Sequence, residues 1–336
     1  MGGVTLVKKI TSVLLVVVLA VLVSGCGNNS DIPTSTSKSN NTITVESMGE
    51  KLNYAKPPEK IIALGYDLAE MIVMLGEGDR IIALSPCMYF IDNVKEEYRN
   101  KIASIEVLPD GLSKGVPTLE TVLSKNPDFV LGYSYSFYEN AAGTPKDYMS
   151  KGINFYAIEG TYVSDASIEN TYNDFVNLGK ILGKQQEAER IVAEMRNRIS
   201  SVEAAVKDIK PVSVFVYDNG SAEKPTTIGG LGFQNSLVKL AGGRNIFDDI
   251  KSDFASISIE ELIERNPDVI VIVEYYESDD GKEKINLLNS IPELSTVKAV
   301  KDENYIVVSG YSFFPCAQNV ELVEKLASGF HNENYN

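Results

Sequence analysis

Histidine is almost absent from this chain. His331 is the one histidine among 336 residues. Protein sites for zinc, manganese or copper draw on imidazole ligands, and a Ser-His-Asp triad needs a histidine between its serine and its acid. The composition therefore argues against a His-built metal site, against a hydrolytic triad and against most proton transfer by imidazole.

Cysteine is scarce as well. The chain has three, Cys26, Cys87 and Cys316, which are too few and too widely spaced for a disulfide framework or a CxxC zinc module. Buried free thiols are the ordinary state of Cys87 and Cys316. A disulfide between them, or a thiolate contact to a bound metal, stays open because we expect the protein outside the cytosol.

Basic residues are outnumbered by acidic ones. Lys and Arg total 31 against 46 Asp and Glu, giving a net charge of -15. This balance excludes a basic footprint for nucleic acid and argues against charge-driven binding to an anionic membrane. With 44% hydrophobic residues the chain is globular, and its length suits two domains.

The first 25 residues have the pattern of a secretory signal. Lys8 and Lys9 precede an apolar run over residues 10–23, and Ser24 and Gly25 come just before Cys26. The run is shorter than the roughly 20 residues that span a bilayer. Small residues before a cysteine resemble the bacterial lipobox, which implies lipidation of Cys26. We therefore expect an extracellular protein held by lipid on the outer face of the bacterial cytoplasmic membrane.

The rest of the chain alternates short apolar runs with segments of helical period. This alternation is typical of parallel sheets covered by helices on both faces. We predict an α/β fold with two lobes, each with a central, mainly parallel sheet, joined by one long helix at about residues 185–207. The expected segments are a signal peptide at 1–25, a lipidated flexible tether at 26–42, an N-terminal lobe at 43–164, an interlobe helical segment at 165–208 and a C-terminal lobe at 209–336.

One motif occurs in each predicted lobe. Residues 117–130 and 257–270 both contain a Thr or Ser, a Glu two positions later, a short helix, Asn-Pro-Asp and then a strand. The hydroxyl caps the helix and the acid lies near its positive end, so the motif is architectural on its own. Its repetition indicates two similar lobes.

These features together resemble class III substrate-binding proteins of bacterial ABC importers for ferric siderophores, corrinoids and haem. The resemblance rests on the lipobox, the repeated Asn-Pro-Asp, residues 58–70, the bridging helix and residues 240–247, and it covers residues 43–331. It implies a non-enzymatic monomer without a cofactor of its own, whose partners are a permease and its ATPase. By position it assigns permease docking to Glu70 and Glu260, with Glu120 and Glu261 as near alternatives.

Aromatic residues follow the predicted strands in both lobes. Ligands of open parallel sheets bind beyond the carboxyl ends of the strands, and Tyr and Phe give large, stiff contact surfaces there. The residues that we predict to bind the ligand are Tyr66, Met88, Tyr89, Tyr133, Tyr135, Phe137, Tyr138, Tyr217, Tyr275, Tyr276, Tyr311, Phe313 and Phe314.

The same loops contain no Arg, which disfavours a strongly anionic ligand. A bulky, near-neutral chelate such as a ferric hydroxamate fits best, and a corrinoid fits nearly as well. Haem fits less well because His331 is the only imidazole, although a Tyr phenolate is an alternative axial ligand. Two other classes stay open: a sensory lipoprotein with the same cleft, and an enzyme using Asp67, Asp110 or Asp218, for which no partner residue is recognisable.

Overall fold

The computed structural model describes residues 42–87, 89–111, 115–221, 224–275 and 280–331. These residues belong to one compact unit, Asn41–Asn336. The signal peptide, the lipidation site Cys26 and nearly all of the tether lie outside the described residues, so those expectations stay predictions. The division of the chain into five segments also stays a prediction, and "first lobe" and "second lobe" below denote residues 43–164 and 209–331.

The first lobe contains a parallel sheet and an edge hairpin. Its strands are β1 Ile43–Ser47, β2 Glu50–Tyr54, β3 Ile61–Ala63, β4 Ile81–Leu84, β5 Phe129–Gly132 and β6 Asn154–Ala157. Its helices are α1 Tyr66–Met74, α2 Glu96–Ala103, α3 Leu119–Ser124 and α4 Pro145–Met149. The sheet order is β4-β3-β5-β6 with all pairs parallel, and β1 pairs antiparallel with β2.

The two helices between the lobes are α5 Ile168–Leu182 and α6 Gln185–Val206. They form a hairpin whose turn passes through Gly183 in the left-handed conformation, with φ of 73°. Helix α5 packs on β1 of the first lobe, whereas α6 packs on α5 and on two helices of the second lobe. The long bridging helix is therefore confirmed, and α5 completes the connection to the first lobe.

The second lobe contains a parallel sheet and a small antiparallel sheet. Its strands are β7 Val212–Tyr217, β8 Asn219–Gly220, β9 Pro225–Ile228, β10 Gly243–Asn245, β11 Phe254–Ser256, β12 Val269–Glu274 and β13 Tyr305–Ser309. Its helices are α7 Phe233–Leu240, α8 Ile259–Arg265, α9 Asp280–Ser290, α10 Lys298–Lys301, α11 Gly310–Phe313 and α12 Asn319–His331. The parallel order is β10-β7-β12-β13, and β11-β9-β8 form the antiparallel sheet.

The central strands are apolar without interruption because both of their faces are covered. In β12, Val269, Val271 and Val273 belong to a core that continues through the interlobe helices into the first lobe. The alternate residues Ile270 and Ile272 belong to a second core on the opposite face of the sheet. Opposite faces of one strand thus fill two cores, which explains why the predicted strands lack an apolar-polar alternation.

The repeated motif forms the same structure twice. Thr118 accepts a hydrogen bond from the backbone of Thr121 at the start of α3, and Ser258 does so from Glu261 at the start of α8. The second residues of these helices, Glu120 and Glu260, are exposed. Within the described residues, every helix is too short or too polar to cross a bilayer.

Candidate ligand-binding cleft

A cleft of about 290 Å³ opens between the two lobes. Its first-lobe side comes from the loops that follow β5 and β6, together with the start of the interlobe segment. Its second-lobe side comes from the start of α7, from β11 and from the segment after α11. The lining residues are Tyr135, Gly160, Thr161, Tyr162, Val163, Ser164, Ala166, Leu231, Phe233, Gln234, Asp253, Phe254, Phe314 and Pro315.

The two first-lobe loops hold each other in place. The Ser134 hydroxyl donates to the Thr161 carbonyl at 2.7 Å, and the Ser134 backbone N–H donates to the Thr161 hydroxyl at 3.0 Å. Tyr135 stacks on Tyr133 with ring centroids 4.9 Å apart and an interplanar angle of 9°. The wall that Tyr135 presents to the cleft is therefore backed by a second ring.

That second ring is fixed by a buried acid. The Tyr133 hydroxyl donates to the carboxylate of Asp67, and both side chains have no exposed surface. Burial is the main reason why the pKa of Asp67 rises to about 7, and the bond from Tyr133 opposes that rise. A Cβ on Gly65 would lie 2.5 Å from Asp67 Oδ1 and 2.9 Å from the Tyr133 hydroxyl, so the pair also accounts for a glycine after β3.

The second-lobe wall is a cluster of aromatic rings. Phe314 lies between Phe254, at 6.4 Å between centroids, and Tyr275, at 6.5 Å. The Tyr275 hydroxyl donates to Asp218, and this hydrogen bond fixes the orientation of the ring. Aromatic pairs at such separations add attraction beyond the area they bury, so this wall is stiff.

The lobes approach each other closely at one end of the cleft. A Cβ on Gly160 would lie 2.6 Å from Cγ of Pro315 and 3.3 Å from the Phe233 ring. Only a residue without a side chain permits this approach, because neither neighbour is the far end of a flexible side chain.

The cleft carries little charge. Asp253 is the one carboxylic acid among the lining residues that the structure describes, and no Lys or Arg is among them. Hydroxyls and an amide complete the polar part of the lining, from Thr161, Ser164 and Gln234. Such a surface can bury a large flat or globular ligand by contact and orient it with a few hydrogen bonds. Within the described residues, no three His, Cys, Asp or Glu side chains are grouped so as to hold a metal ion.

The predicted ligand-binding residues divide into four groups. Tyr135 and Phe314 line the cleft, and Tyr275 packs directly behind Phe314. Tyr66 is half-buried at the start of α1, and Tyr138 is 56% exposed and does not line the cleft. Met88 and Tyr276 lie outside the described residues. The remaining six are buried core residues: Tyr89, Tyr133, Phe137, Tyr217, Tyr311 and Phe313.

Those six buried rings are a correction to the expectation that every strand-end aromatic faces the ligand. Phe137 packs on Phe155 and Tyr148 within the first lobe, and Tyr217 donates to the Gly220 carbonyl at 2.9 Å. A Tyr or Phe after a strand satisfies core packing as readily as ligand contact, so residue type alone does not separate the two.

Sequence reasoning missed Tyr162, Phe233 and Phe254, which all line the cleft. Tyr162 follows β6, so the strand-end rule applied to that strand as well would have found it. Phe233 begins α7 directly after the loop Gly229–Gly232, where close backbone packing explains the glycines. Phe254 lies in the antiparallel sheet, which no pattern in the sequence predicts.

Glu70 requires a further correction. Docking on a permease needs an exposed side chain, but Glu70 has no exposed surface and is bonded to the second lobe. A residue so enclosed cannot contact a permease in this structure. Glu260, by contrast, is exposed, and its docking role stays a prediction.

Cys87 and Cys316, the cysteines among the described residues, are free and buried. Burial raises the pKa of the Cys87 thiol to about 12 and also raises that of Cys316. Neither lines the cleft. The ordinary interpretation, two small buried thiols, therefore describes this structure.

The sequence profile of the periplasmic binding protein family matches residues 61–310, which include both parallel sheets and all the residues that line the cleft except Phe314 and Pro315. The chain belongs to the periplasmic binding protein family. A vitamin B12-binding protein of Vibrio parahaemolyticus is 22% identical over 227 residues, or 67% of this chain and 74% of its own length. A cobalamin-binding protein of Halobacterium salinarum is 24% identical over 299 residues, or 88% of this chain and 73% of its own length.

Solved structures of the family share the fold. A periplasmic binding protein from Veillonella parvula superposes with a TM-score of 0.76 and 26% identity, covering 86% of this chain and 97% of its own. A protein of the ABC-type Fe³⁺-hydroxamate transport system from Saccharomonospora viridis gives a TM-score of 0.72 at 21% identity, with 86% and 98% covered. The two-lobe α/β architecture predicted from the sequence is thereby confirmed.

Proposed function

We propose that this family member captures a bulky, near-neutral metal chelate in the cleft and delivers it to the permease of an ABC importer. The observation that carries the proposal is the cleft itself, which has aromatic walls from both lobes and no Lys or Arg among its described lining residues. The protein then acts by binding and release, with no chemical step.

A ferric hydroxamate is the chelate class that this lining favours. An anionic catecholate or carboxylate chelate needs counter-charges when it is buried, and burying an unpaired charge is costly. Here the one lining acid, Asp253, would repel such a ligand. A trihydroxamate brings a large apolar surface and little charge, which suits ring faces and the hydroxyls of Thr161 and Ser164.

A corrinoid is the second candidate. Two relatives that match most of the chain are named as vitamin B12- and cobalamin-binding proteins, which supports this ligand independently of the cleft chemistry. Haem has less support. His331 lies in α12, where its ring contacts the Ala241 carbonyl at 3.2 Å, and it does not line the cleft. Tyr135 and Tyr162 are the phenols among the described lining residues.

Binding of a defined panel tests the ligand proposal. The chain is titrated by calorimetry with ferrioxamine, cyanocobalamin, haemin and a ferric tricatecholate. We expect 1:1 binding of ferrioxamine or cyanocobalamin and none of the tricatecholate. Exclusive binding of the tricatecholate, or of none of the four, would contradict the proposal.

A matched pair of substitutions places the ligand in the cleft. Tyr135 and Tyr138 belong to the same loop, but only Tyr135 lines the cleft. Tyr135→Ala should weaken binding by roughly tenfold to a hundredfold, the effect of losing one aromatic burial. Tyr138→Ala should leave affinity within about twofold, and equal losses in the two variants would count against this cleft.

For docking we propose Glu120 in place of Glu70, paired with Glu260. The two acids occupy the same position of the repeated motif, one in each lobe, and both are exposed. Carboxylate–guanidinium pairs are directional, so two of them fix one orientation on a permease. In cells, Glu120→Ala with Glu260→Ala should abolish uptake while the purified variant keeps its affinity. Lost affinity in that variant would refute the docking role.

The location of the protein belongs to the same proposal. Secretion through the signal at 1–25 and lipidation of Cys26 would hold the mature chain, as a monomer, at the outer face of the cytoplasmic membrane beside its permease and ATPase. Intact-mass analysis of the protein from membranes tests this. The expected mass is that of a chain starting at Cys26 and carrying a diacylglycerol, whereas an unmodified Cys26 would refute it.

A further inference from the structure

Glu70 lies where the two lobes meet and has no exposed surface. Its Oε2 accepts hydrogen bonds from the Tyr311 hydroxyl at 2.6 Å and from Gln318 Nε2 at 3.0 Å, both in the second lobe. Its Oε1 accepts from the backbone N–H of Lys95 in the first lobe at 3.1 Å. One carboxylate of α1 therefore joins both lobes.

The donors around Glu70 have few alternatives. Gln318 Nε2 also donates to the Asn93 carbonyl at 3.0 Å, and Tyr311 is 1% exposed. Removal of the carboxylate would leave the buried Tyr311 hydroxyl, and one donor of the half-buried Gln318 amide, without this acceptor. Such a loss costs more than the bonds themselves, because buried donors without partners are strongly penalised.

A second contact holds the same part of the second lobe. Thr171 of α5 donates its hydroxyl to Asn319 Oδ1 at 2.9 Å. Asn319 in turn donates to the carbonyls of Ser312, at 2.9 Å, and Phe314, at 2.8 Å. The segment 310–319 is thus bonded at one end to α1, through Tyr311, and at the other to α5, through Asn319.

The segment between these contacts contributes part of the second-lobe wall of the cleft. Phe314 and Pro315 line it, and Pro315 is the residue that meets Gly160 across the gap. Tyr311 also packs edge-on against Tyr89 of the first lobe, with centroids 5.3 Å apart. Phe314 of the aromatic wall follows Tyr311 by only three residues, so a shift of Tyr311 also moves Phe314.

We infer that Glu70 is a positioning residue that fixes the cleft wall of the second lobe against the first lobe and so sets the width of the cleft. Glu70 contacts no cleft ligand itself, because it is not among the lining residues. The effect of Glu70 on the width of the cleft can be measured in the protein without ligand. Its effect on ligand affinity rests on the proposed function.

Spin-label distances across the lobes test this inference without any ligand. Nitroxides are attached at Lys146→Cys in α4 and Lys282→Cys in α9, which are exposed positions, in the full chain carrying Cys26→Ser. The native Cys87 and Cys316 are buried, so we expect the nitroxide reagent to leave them unmodified. We expect one narrow distance distribution for the parent and a longer or broader one for Glu70→Ala. Coincident distributions would overturn the inference.

Two further variants make the result specific. Glu77→Gln is the matched control, since Glu77 is a buried acid of the same lobe whose partners are Arg80 and Lys184, outside the second lobe. It should keep the distance distribution of the parent.

Tyr311→Phe removes one hydrogen-bond donor to Glu70 and retains the ring. It should change the distance distribution in the same direction as Glu70→Ala, but by less. If Glu70→Ala does not fold, an unchanged distribution in Tyr311→Phe overturns the inference.

The affinity measurement is separate. With ferrioxamine or cyanocobalamin as the probe, whichever binds, Glu70→Ala should weaken binding about tenfold, as expected when the competent arrangement falls to about a tenth of the population. A widened cleft with unchanged affinity would overturn the role of Glu70 in binding. Failure of both probes to bind would refute the proposed function and leave the distance result intact.

Discussion

Replacing Asp67 with asparagine removes one buried titratable group, the carboxyl that bonds to Tyr133 behind the cleft wall. The variant therefore shows how this carboxyl makes stability depend on pH. Asp67 is fully buried, and its pKa rises from 3.8 to about 7 because burial disfavours the charged form. A shift of this size corresponds to about 4 kcal/mol between the two protonation states. Between pH 4 and pH 7 the folded chain therefore holds a proton on Asp67 that the unfolded chain has released.

The sign of the effect follows from that proton. The unfolded state binds fewer protons than the folded state in this range, so Asp67 makes the free energy of unfolding fall as the pH rises, by about 1.4 kcal/mol per unit. The stabilising contribution is complete below about pH 4 and is lost by about pH 7. The asparagine of the variant cannot titrate, so the variant lacks this loss while its amide oxygen still accepts from the Tyr133 hydroxyl.

Urea unfolding followed by circular dichroism measures the difference. We expect Asp67→Asn to gain stability relative to the parent by up to about 4 kcal/mol between pH 4 and pH 8. Asp110→Asn, at an exposed carboxyl, is the control for the loss of one acidic group. A flat difference for Asp67→Asn, or one of the opposite sign, would refute the argument that burial governs this carboxyl.

Two further predictions concern the contact between the lobes and the cysteines. Gly160→Ala should weaken ligand binding several-fold with little loss of stability, because its Cβ would stand 2.6 Å from Pro315 and separate the lobes; calorimetric affinity equal to the parent value would contradict this. In a chain carrying Cys26→Ser, Cys87 and Cys316 should resist a maleimide reagent in the folded protein and react fully in urea, because both are buried and protonated; rapid labelling of this native variant, read by intact mass, would show that one of them is accessible.

The architecture was predictable because its signal is local. Continuous apolar strands such as β5 and β12, and capped helices such as α8, are determined by neighbouring residues, and the structure has them at the predicted positions. Strand β11 was missed because its three residues carry no alternation and depend on pairing with β9.

The cleft was only partly predictable because burial across lobes is a long-range property. Glu70 lies on a helix whose residues from Asp67 to Ile72 are all buried. Helix α2 and strands β3 and β4 of the first lobe pack on this helix, and Tyr311 and Gln318 of the second lobe bond to the Glu70 carboxylate. Helical period places Leu68 and Ile72 in the core but cannot show that another lobe covers the opposite face. The same ambiguity applies to Tyr311, a strand-end ring that bonds to Glu70 instead of facing the cleft.

Hydrogen exchange with and without the tightest-binding chelate of the panel tests most directly whether one ligand is held by both lobes. We expect slower exchange in residues 160–166 of the first lobe and the adjoining interlobe segment, and in residues 231–234 and 253–254 of the second lobe, within the same sample. Protection confined to one lobe, or located away from the cleft, would contradict the account.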